Sequence, residues 1–177
     1  MAQVRFIQTF TGKQFHLLNP RPEDICIEDI AHALSMLCRF TGHTRVFYSV
    51  AEHSMHCSLV VPKEHRLQAL LHDATEAYLG DLSAPLKSLN LLNGYSLIEA
   101  DIWRVIARAF QIPHVIHPKV KDADRYLLGR EAKFFWTDEQ TKDWEVPIPS
   151  KRHPLQLLSP ANAEVGFLQM FKVYSGD

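Results

Sequence analysis

His72 and Asp73 are the most chemically suggestive pair in the chain, because an imidazole beside a carboxylate offers two ligands to one divalent ion. Both fall inside a helix that the stripe Leu67, Leu70, Leu71 and Ala74 predicts over residues 63–79, with Gly80 where a C-cap is wanted. Neighbours on a helix point about 100° apart, so the pair reaches one ion only if it sits near the helix surface between them. Glu76 lies one turn on, shares that face, and is suited to holding a metal-bound water rather than the ion itself. A His-Asp dipeptide alone arises by chance. Its company gives it weight: His53 within AEHS on the preceding helix, Gly80-Asp81-Leu82, Pro85 and Lys87, then Lys121-Asp122-Ala123-Asp124 on a later helix. Asp122 and Asp124 compete as ligands, two positions apart and facing different directions.

The elements that must position these residues read as helices. Residues 26–38 place Ile27, Ile30, Leu34 and Leu37 at helical spacing, with Glu28 and Asp29 in the dipole-favoured first turn and Gly42 breaking the helix. Residues 49–61 follow, with Ser49 and Glu52 as a capping box and Pro62 as the stop. After a Pro-containing loop through Asp81, Pro85 and Lys87, an amphipathic helix is predicted over 96–111 and another over 118–135, where Pro118 suits a first turn. Pro147, Pro149 and Pro154 forbid regular helix in 137–158, which reads as a long surface loop. Ser159 and Pro160 then open a last helix to about Tyr174. The expected class is all-α, with a few strand residues near 46–48.

The 177 residues, 46% of them hydrophobic, suffice for one well-buried core, so 1–177 is read as one domain with 1–25 as an N-terminal extension. A net charge of −1 and a pI near 6.8 give no global attraction to nucleic acid, and no stable nucleic-acid partner is expected. Apolar runs such as 59–62 and 89–92 are far shorter than a bilayer span requires, and residues 1–6 lack a secretory h-region, so a cytoplasmic location is expected. Cys26, Cys38 and Cys57 show no CxxC spacing and read as reduced, buried small hydrophobes. Of the ten histidines, His32, His43, His56 and His65 read as packing or solvent-facing, and His16, His114, His117 and His153 receive no role. Trp103, Trp136 and Trp144 read as core or interface aromatics.

Taken together, Arg39, AEHS at 51–54, LLHDATEAYLGDLSAPLK at 70–87 and DADRYLL at 122–128 resemble the HD-domain metal-dependent phosphohydrolases, within them the bacterial and phage 5′-deoxynucleotidase-like branch. The resemblance covers about residues 35–135. It implies a helical HD-domain bundle in which His53, His72, Asp73 and Asp124 hold one divalent ion, whether zinc, manganese or cobalt. It further implies that Glu76 positions or deprotonates the attacking water, that Arg39 and Lys87 bind substrate phosphate, and that Asp81 accepts a hydrogen bond from the sugar hydroxyl. Phe40 stands where many relatives of this branch carry tryptophan, which puts base stacking in question. TFTGKQFHLLNP and the Pro-rich segment also depart from the bacterial pattern.

The activity so implied is release of phosphate from deoxynucleoside monophosphates. The alternative is a phage-type, even adenine-selective, deoxynucleoside triphosphate triphosphohydrolase. From another class, a non-catalytic nucleotide-binding HD module is disfavoured by the intact ligand set and Glu76. Cyclic-nucleotide and guanosine tetraphosphate hydrolysis are further alternatives within the HD fold. Small enzymes of this branch form homo-oligomers, so the expected partners are the deoxynucleotide and further copies of the chain, with no membrane.

Overall fold

In the computed structural model, which describes residues 5–89, 93–152 and 154–176, the apolar stripes fold as helices and the class is all-α. Residues 1–4 of the N-terminal reading, Leu91 and Leu92 of the 89–92 run, and His153 lie outside the described residues. Among those described, the only sheet is a hairpin of β1 (Ile7–Gln8) and β2 (Gln14–Phe15), antiparallel with Ile7 opposite Phe15. It closes through Gly12, whose φ of 91° favours glycine. Phe15 is fully buried and Ile7 packs against the same core, which ties the N-terminal extension down.

Helix α1 (Ile27–Met36) buries Ile30, Ala31 and Leu34 and carries Glu28 and Asp29 in its first turn. Helix α2 (Val50–Val60) lies at the centre, against α1, α3 (Arg66–Leu71), α7 (Pro118–Phe135) and α9 (Pro160–Ser175). A helix covered on all sides is normally apolar all round. This one buries Glu52, His53, Ser54 and Ser58 beside Val50, Ala51 and Met55. Buried polar groups need partners, so α2 already marks where the fold carries polar chemistry inside. Helix α6 (Asn93–Ala109) adds Ile102 and Ile106 to the core, and α9 adds Phe167.

The helix read over 63–79 is broken. A 3₁₀ turn at Lys63–His65 leads into α3, which stops at Leu71, and α4 (Glu76–Leu79) begins after a turn over 72–75. Within that turn the amides of Ala74, Glu76 and Ala77 donate to carbonyls three residues back, on Leu71, Asp73 and Ala74. The Ala69 carbonyl, the one a continuing α-helix would offer to the Asp73 amide, accepts from His72 Nδ1 at 2.8 Å. Tightening toward three residues per turn brings Asp73 and Glu76 closer to eclipsed, so both face the same space.

Other boundaries moved for local reasons. No strand forms at 46–48, and the chain there makes an isolated bridge between Cys38 and Ser49. Ser49 Oγ accepts from the Glu52 amide at 3.1 Å, but the capping box is half made. The Glu52 carboxylate instead takes the amides of Leu157 and Leu158 at 2.8 and 2.7 Å. Nor is 137–158 only a surface loop: it contains α8 (Asp138–Thr141), closed by a reciprocal Thr137 and Gln140 box, and it buries Thr141 and Leu155. Gly129 of α7 lies so close beneath it that an added Cβ would stand 2.0 Å from the Pro147 carbonyl oxygen. Helix α7 occupies the expected 118–135, and Ser159 caps α9 by accepting from the Asn162 amide. No helix among the described residues is long and apolar enough to cross a membrane.

Candidate metal centre

Three elements converge on one point. Helix α2 presents His53 and Cys57 from one face, the tightened turn presents His72 and Asp73, and α7 presents Asp124. One donor atom from each of His53, Cys57, His72 and Asp124 lies within 4.8 Å of the others, and the group could hold a metal ion. His53 Nε2 is 3.1 Å from Asp124 Oδ1 and 3.4 Å from Cys57 Sγ, and His72 Nε2 is 3.9 Å from Asp124 Oδ1.

The hydrogen bonds on the far side of each imidazole settle which nitrogen is offered. His53 Nδ1 lies 2.6 Å from Glu131 Oε1 and His72 Nδ1 lies 2.8 Å from the Ala69 carbonyl. Both acceptors call for Nδ1–H, an assignment from the bonding network, which leaves both Nε2 lone pairs facing the cluster. His72 Nε2 is buried without a hydrogen-bond partner among the described residues. An orphaned acceptor opposite a carboxylate and a thiol is what a divalent ion with nitrogen, oxygen and sulfur donors would satisfy.

The electrostatics agree. Burial and the Arg39 charge would lower the His53 pKa, yet the acidic groups Cys57, Glu131 and Asp124 raise it well above the ordinary value. Burial raises Asp124, but His53, His72 and Arg39 hold it well below the usual carboxylate range. Two acids and a thiol near His53 thus outweigh burial and the Arg39 charge, and positive charge is favoured there.

Asp73, expected as a ligand, is not a member of the mutually close set. Its Oδ2 is 3.3 Å from His72 Nε2 and 3.8 Å from His53 Nε2, with Arg39 Nη1 at 3.7 Å. Arg39 is mostly covered rather than a surface cation, and its Nη2 donates to Glu131 at 3.2 Å. Glu131 also accepts from the Tyr48 hydroxyl at 2.8 Å, so three donors meet on one fully buried carboxylate. Burial alone would raise Glu131, but the charges of Arg39 and His53 and the bonds from His53 and Tyr48 hold it at about 2.

Glu76 is almost fully buried. Its Oε1 lies 3.4 Å from Lys87 Nζ, and its Oε2 is buried with no partner among the described residues. Burial first, then the nearby charges of Asp73 and Asp81, push its pKa well above the carboxylate range. Lys87 is shared with Glu99, at 3.1 Å, which neutralises much of the point charge expected for phosphate. Asp81 follows Gly80 at the end of α4, with its pKa raised chiefly by burial. Phe40 and Thr41 occupy the left-handed region at φ 55° and 54°, a conformation that costs energy in non-glycine residues. The Phe40 ring packs edge-on against Trp136 at 4.9 Å and near Trp144 at 6.3 Å, so Phe40 belongs to an aromatic cluster next to Arg39.

The sequence reading missed three of these residues as site components. Cys57 had its signal in the four-residue spacing from His53, and Glu131 in the seven-residue spacing from Asp124, each placing the pair on one helix face. Tyr48 had none, since it comes from a loop. No protein-family model matches the chain. It is 46% identical over 171 residues to the uncharacterized protein YfdR of Escherichia coli K12, covering 95% of this chain and 94% of that one. It is 37% identical over 122 residues to an uncharacterized protein of Rhodobacter capsulatus, covering 64% of this chain and 62% of that one.

Proposed function

We propose that this chain, which belongs to the same family as Escherichia coli YfdR, is a metal-dependent phosphohydrolase of the HD-domain type that releases phosphate from deoxynucleoside 5′-monophosphates. The observation that supports this most is the pair of imidazoles with Nδ1 committed elsewhere and Nε2 facing Asp124, one of them orphaned. A divalent ion held there would lower the pKa of water and polarise a phosphoryl oxygen. Near that cluster, Glu76 has one oxygen on Lys87 and the other unmatched; its raised pKa keeps it protonated without an ion, and the positive charge of a bound ion would lower that pKa and let the carboxylate take a proton from the attacking water. Arg39 contributes positive charge from the protein side, fixed in direction by Glu131. Asp81 is the candidate acceptor for the sugar hydroxyl.

Charge supports the monophosphate over the triphosphate reading. The two cations expected to bind phosphate are already paired, Arg39 with Glu131 and Lys87 with Glu76 and Glu99, which suits one phosphate better than three. The test is release of orthophosphate or tripolyphosphate from deoxy- and ribonucleoside mono- and triphosphates with zinc, manganese or cobalt supplied, beside His72→Ala. Orthophosphate from deoxynucleoside monophosphates, lost in the variant, is expected. Intact tripolyphosphate would move the assignment to triphosphohydrolase. No turnover despite bound metal would leave a nucleotide-binding module.

A further inference from the structure

We infer that the groove between α2 and α9 is a second ligand site, which takes a small amphipathic anion, an aromatic or aliphatic body carrying one carboxylate, sulfonate or phosphate, with Arg66 as its anchor. This site is separate from the metal centre and stands whether or not the chain is a phosphohydrolase.

Helical geometry sets the two sites apart. His53 and Cys57 turn toward Asp124, whereas Met55 and Leu59, about 200° further round α2, turn toward α9. Between the helices lies a cavity of about 440 Å³, walled by Met55, Leu59, Leu158, Met170 and Val173. Its buried end is tight, since a Cβ on Gly166 of α9 would stand 3.0 Å from Met55 Sδ. Its outer end is open, leaving Leu59 52% and Val173 76% exposed. Sites for a single small molecule run from about 300 to 1,000 Å³ and are mostly apolar with a few polar groups, and this groove has that size and that lining.

Charge then selects the molecule. Arg66 is the one lysine or arginine of the lining among the described residues, and no aspartate or glutamate belongs to it. The guanidinium has no ion-pair partner among the described residues, and its Nε is buried without a hydrogen-bond acceptor. It lies instead over the Tyr174 ring, with Cζ 5.9 Å from the centroid. Arg39, by contrast, is paired with Glu131. A covered guanidinium without an acceptor is costly to leave unmatched, and its planar fork suits a carboxylate, sulfonate or phosphate. Gln156 and Gln169 add neutral amides to the same lining. One cation balances one negative charge, so a polyanion is a poor fit. A partly exposed cation holds an anion weakly on its own, so the apolar walls must bind the body of the molecule.

The experiment titrates the full chain under native conditions with 1-anilinonaphthalene-8-sulfonate, an aromatic body with one sulfonate, and with N-phenyl-1-naphthylamine as its uncharged counterpart, both followed by fluorescence. Saturable binding of one sulfonate probe per chain is expected. Its affinity should fall about 10–100-fold in Arg66→Gln. In Gln169→Glu, which places a carboxylate on the lining at an exposed position, it should fall about 2–5-fold, while the uncharged probe changes less than about 2-fold in either variant. His72→Ala should bind the sulfonate probe as tightly as the parent. Should Arg66→Gln lower the denaturant midpoint, the exposed Gln169→Glu carries the test. Absence of saturable binding overturns the inference. So does a sulfonate affinity that neither variant changes, or an equal loss of both probes in a variant whose midpoint is unchanged. Loss of the probe in His72→Ala would place it at the metal centre and also overturns the inference. Arg66-dependent binding in a chain without phosphatase activity supports the second site and refutes only the proposed function.

Discussion

The two walls of the centre are built differently. The inner wall, from α2, α7 and the loop that leads into α2, consists of His53, Cys57, Tyr48 and Glu131, all fully buried and cross-bonded. The outer wall, from α4, α5 (Ala84–Lys87), the loop between them and α6, carries a buried Glu76 among Asp81, Lys87 and Glu99, which are half-open to water, with Leu86 and Leu89 exposed. The inner wall spends its polar groups on one another and fixes donor directions. The outer wall leaves a carboxyl oxygen unmatched and its acids crowded. A group held in the first way suits a resident ion, and one held in the second suits a proton that must move.

If the inner wall is structural as well as chemical, Glu131→Gln should give the largest effect. It leaves Arg39 and His53 buried without their shared carboxylate, for a loss of about 3–5 kcal/mol seen as a lower denaturant midpoint. Divalent-ion affinity in the surviving folded fraction should fall about 10–100-fold, read by chelator competition.

The outer wall should behave in the opposite sense. Burial raises the Glu76 pKa in the folded chain, so the folded state keeps a proton that the unfolded state releases above about pH 4.3. That costs stability increasingly as pH rises toward the raised value. Glu76→Gln should therefore raise the midpoint of the metal-free protein at pH 8 and leave it unchanged at pH 4. Phosphatase turnover should drop about 10²–10⁴-fold. A destabilised Glu76→Gln at pH 8 would erase the distinction between the walls.

His56, near Tyr48 at 3.4 Å on the edge of the inner wall, sharpens the comparison through pH. Burial pulls its pKa down to about 4, helped by Arg130 and His53 against Glu131. The unfolded chain takes that proton near pH 6.5, so this contribution is complete above 6.5 and lost as pH falls toward 4. Comparing midpoints at pH 7 and pH 4.5 should show His56→Asn losing about 1–2 kcal/mol less than the parent. The smallest effect belongs to Lys87→Met, whose partly exposed pairs contribute about 1 kcal/mol or less to stability, so only catalytic parameters should respond clearly.

The long helices were legible because their apolar stripes have one period and their ends carry local chemistry, as Ser159 and Pro160 do for α9. The turn at 72–75 was not, since the stripe through Leu71 and Ala74 continues across it and the tightening depends on backbone bonding. His53 and Asp124 come together because each sits on a helix face the period already defined, and His72 joins them because it directly follows the last residue of α3. Cys57 was read as a small hydrophobe because burial and ligation look alike in a sequence. Glu52 was assigned to a cap whose local geometry was right, but two amides more than 100 residues away compete for its carboxylate.

That clamp also changes what a break in the chain would mean. The Pro-rich segment is held at one end where Pro147 lies over Gly129, and at the other where Leu157 and Leu158 are tied to Glu52. A peptide bond severed between those two fastenings would leave a two-piece molecule still assembled around α2, its seam silent until denaturant pulls α9 away.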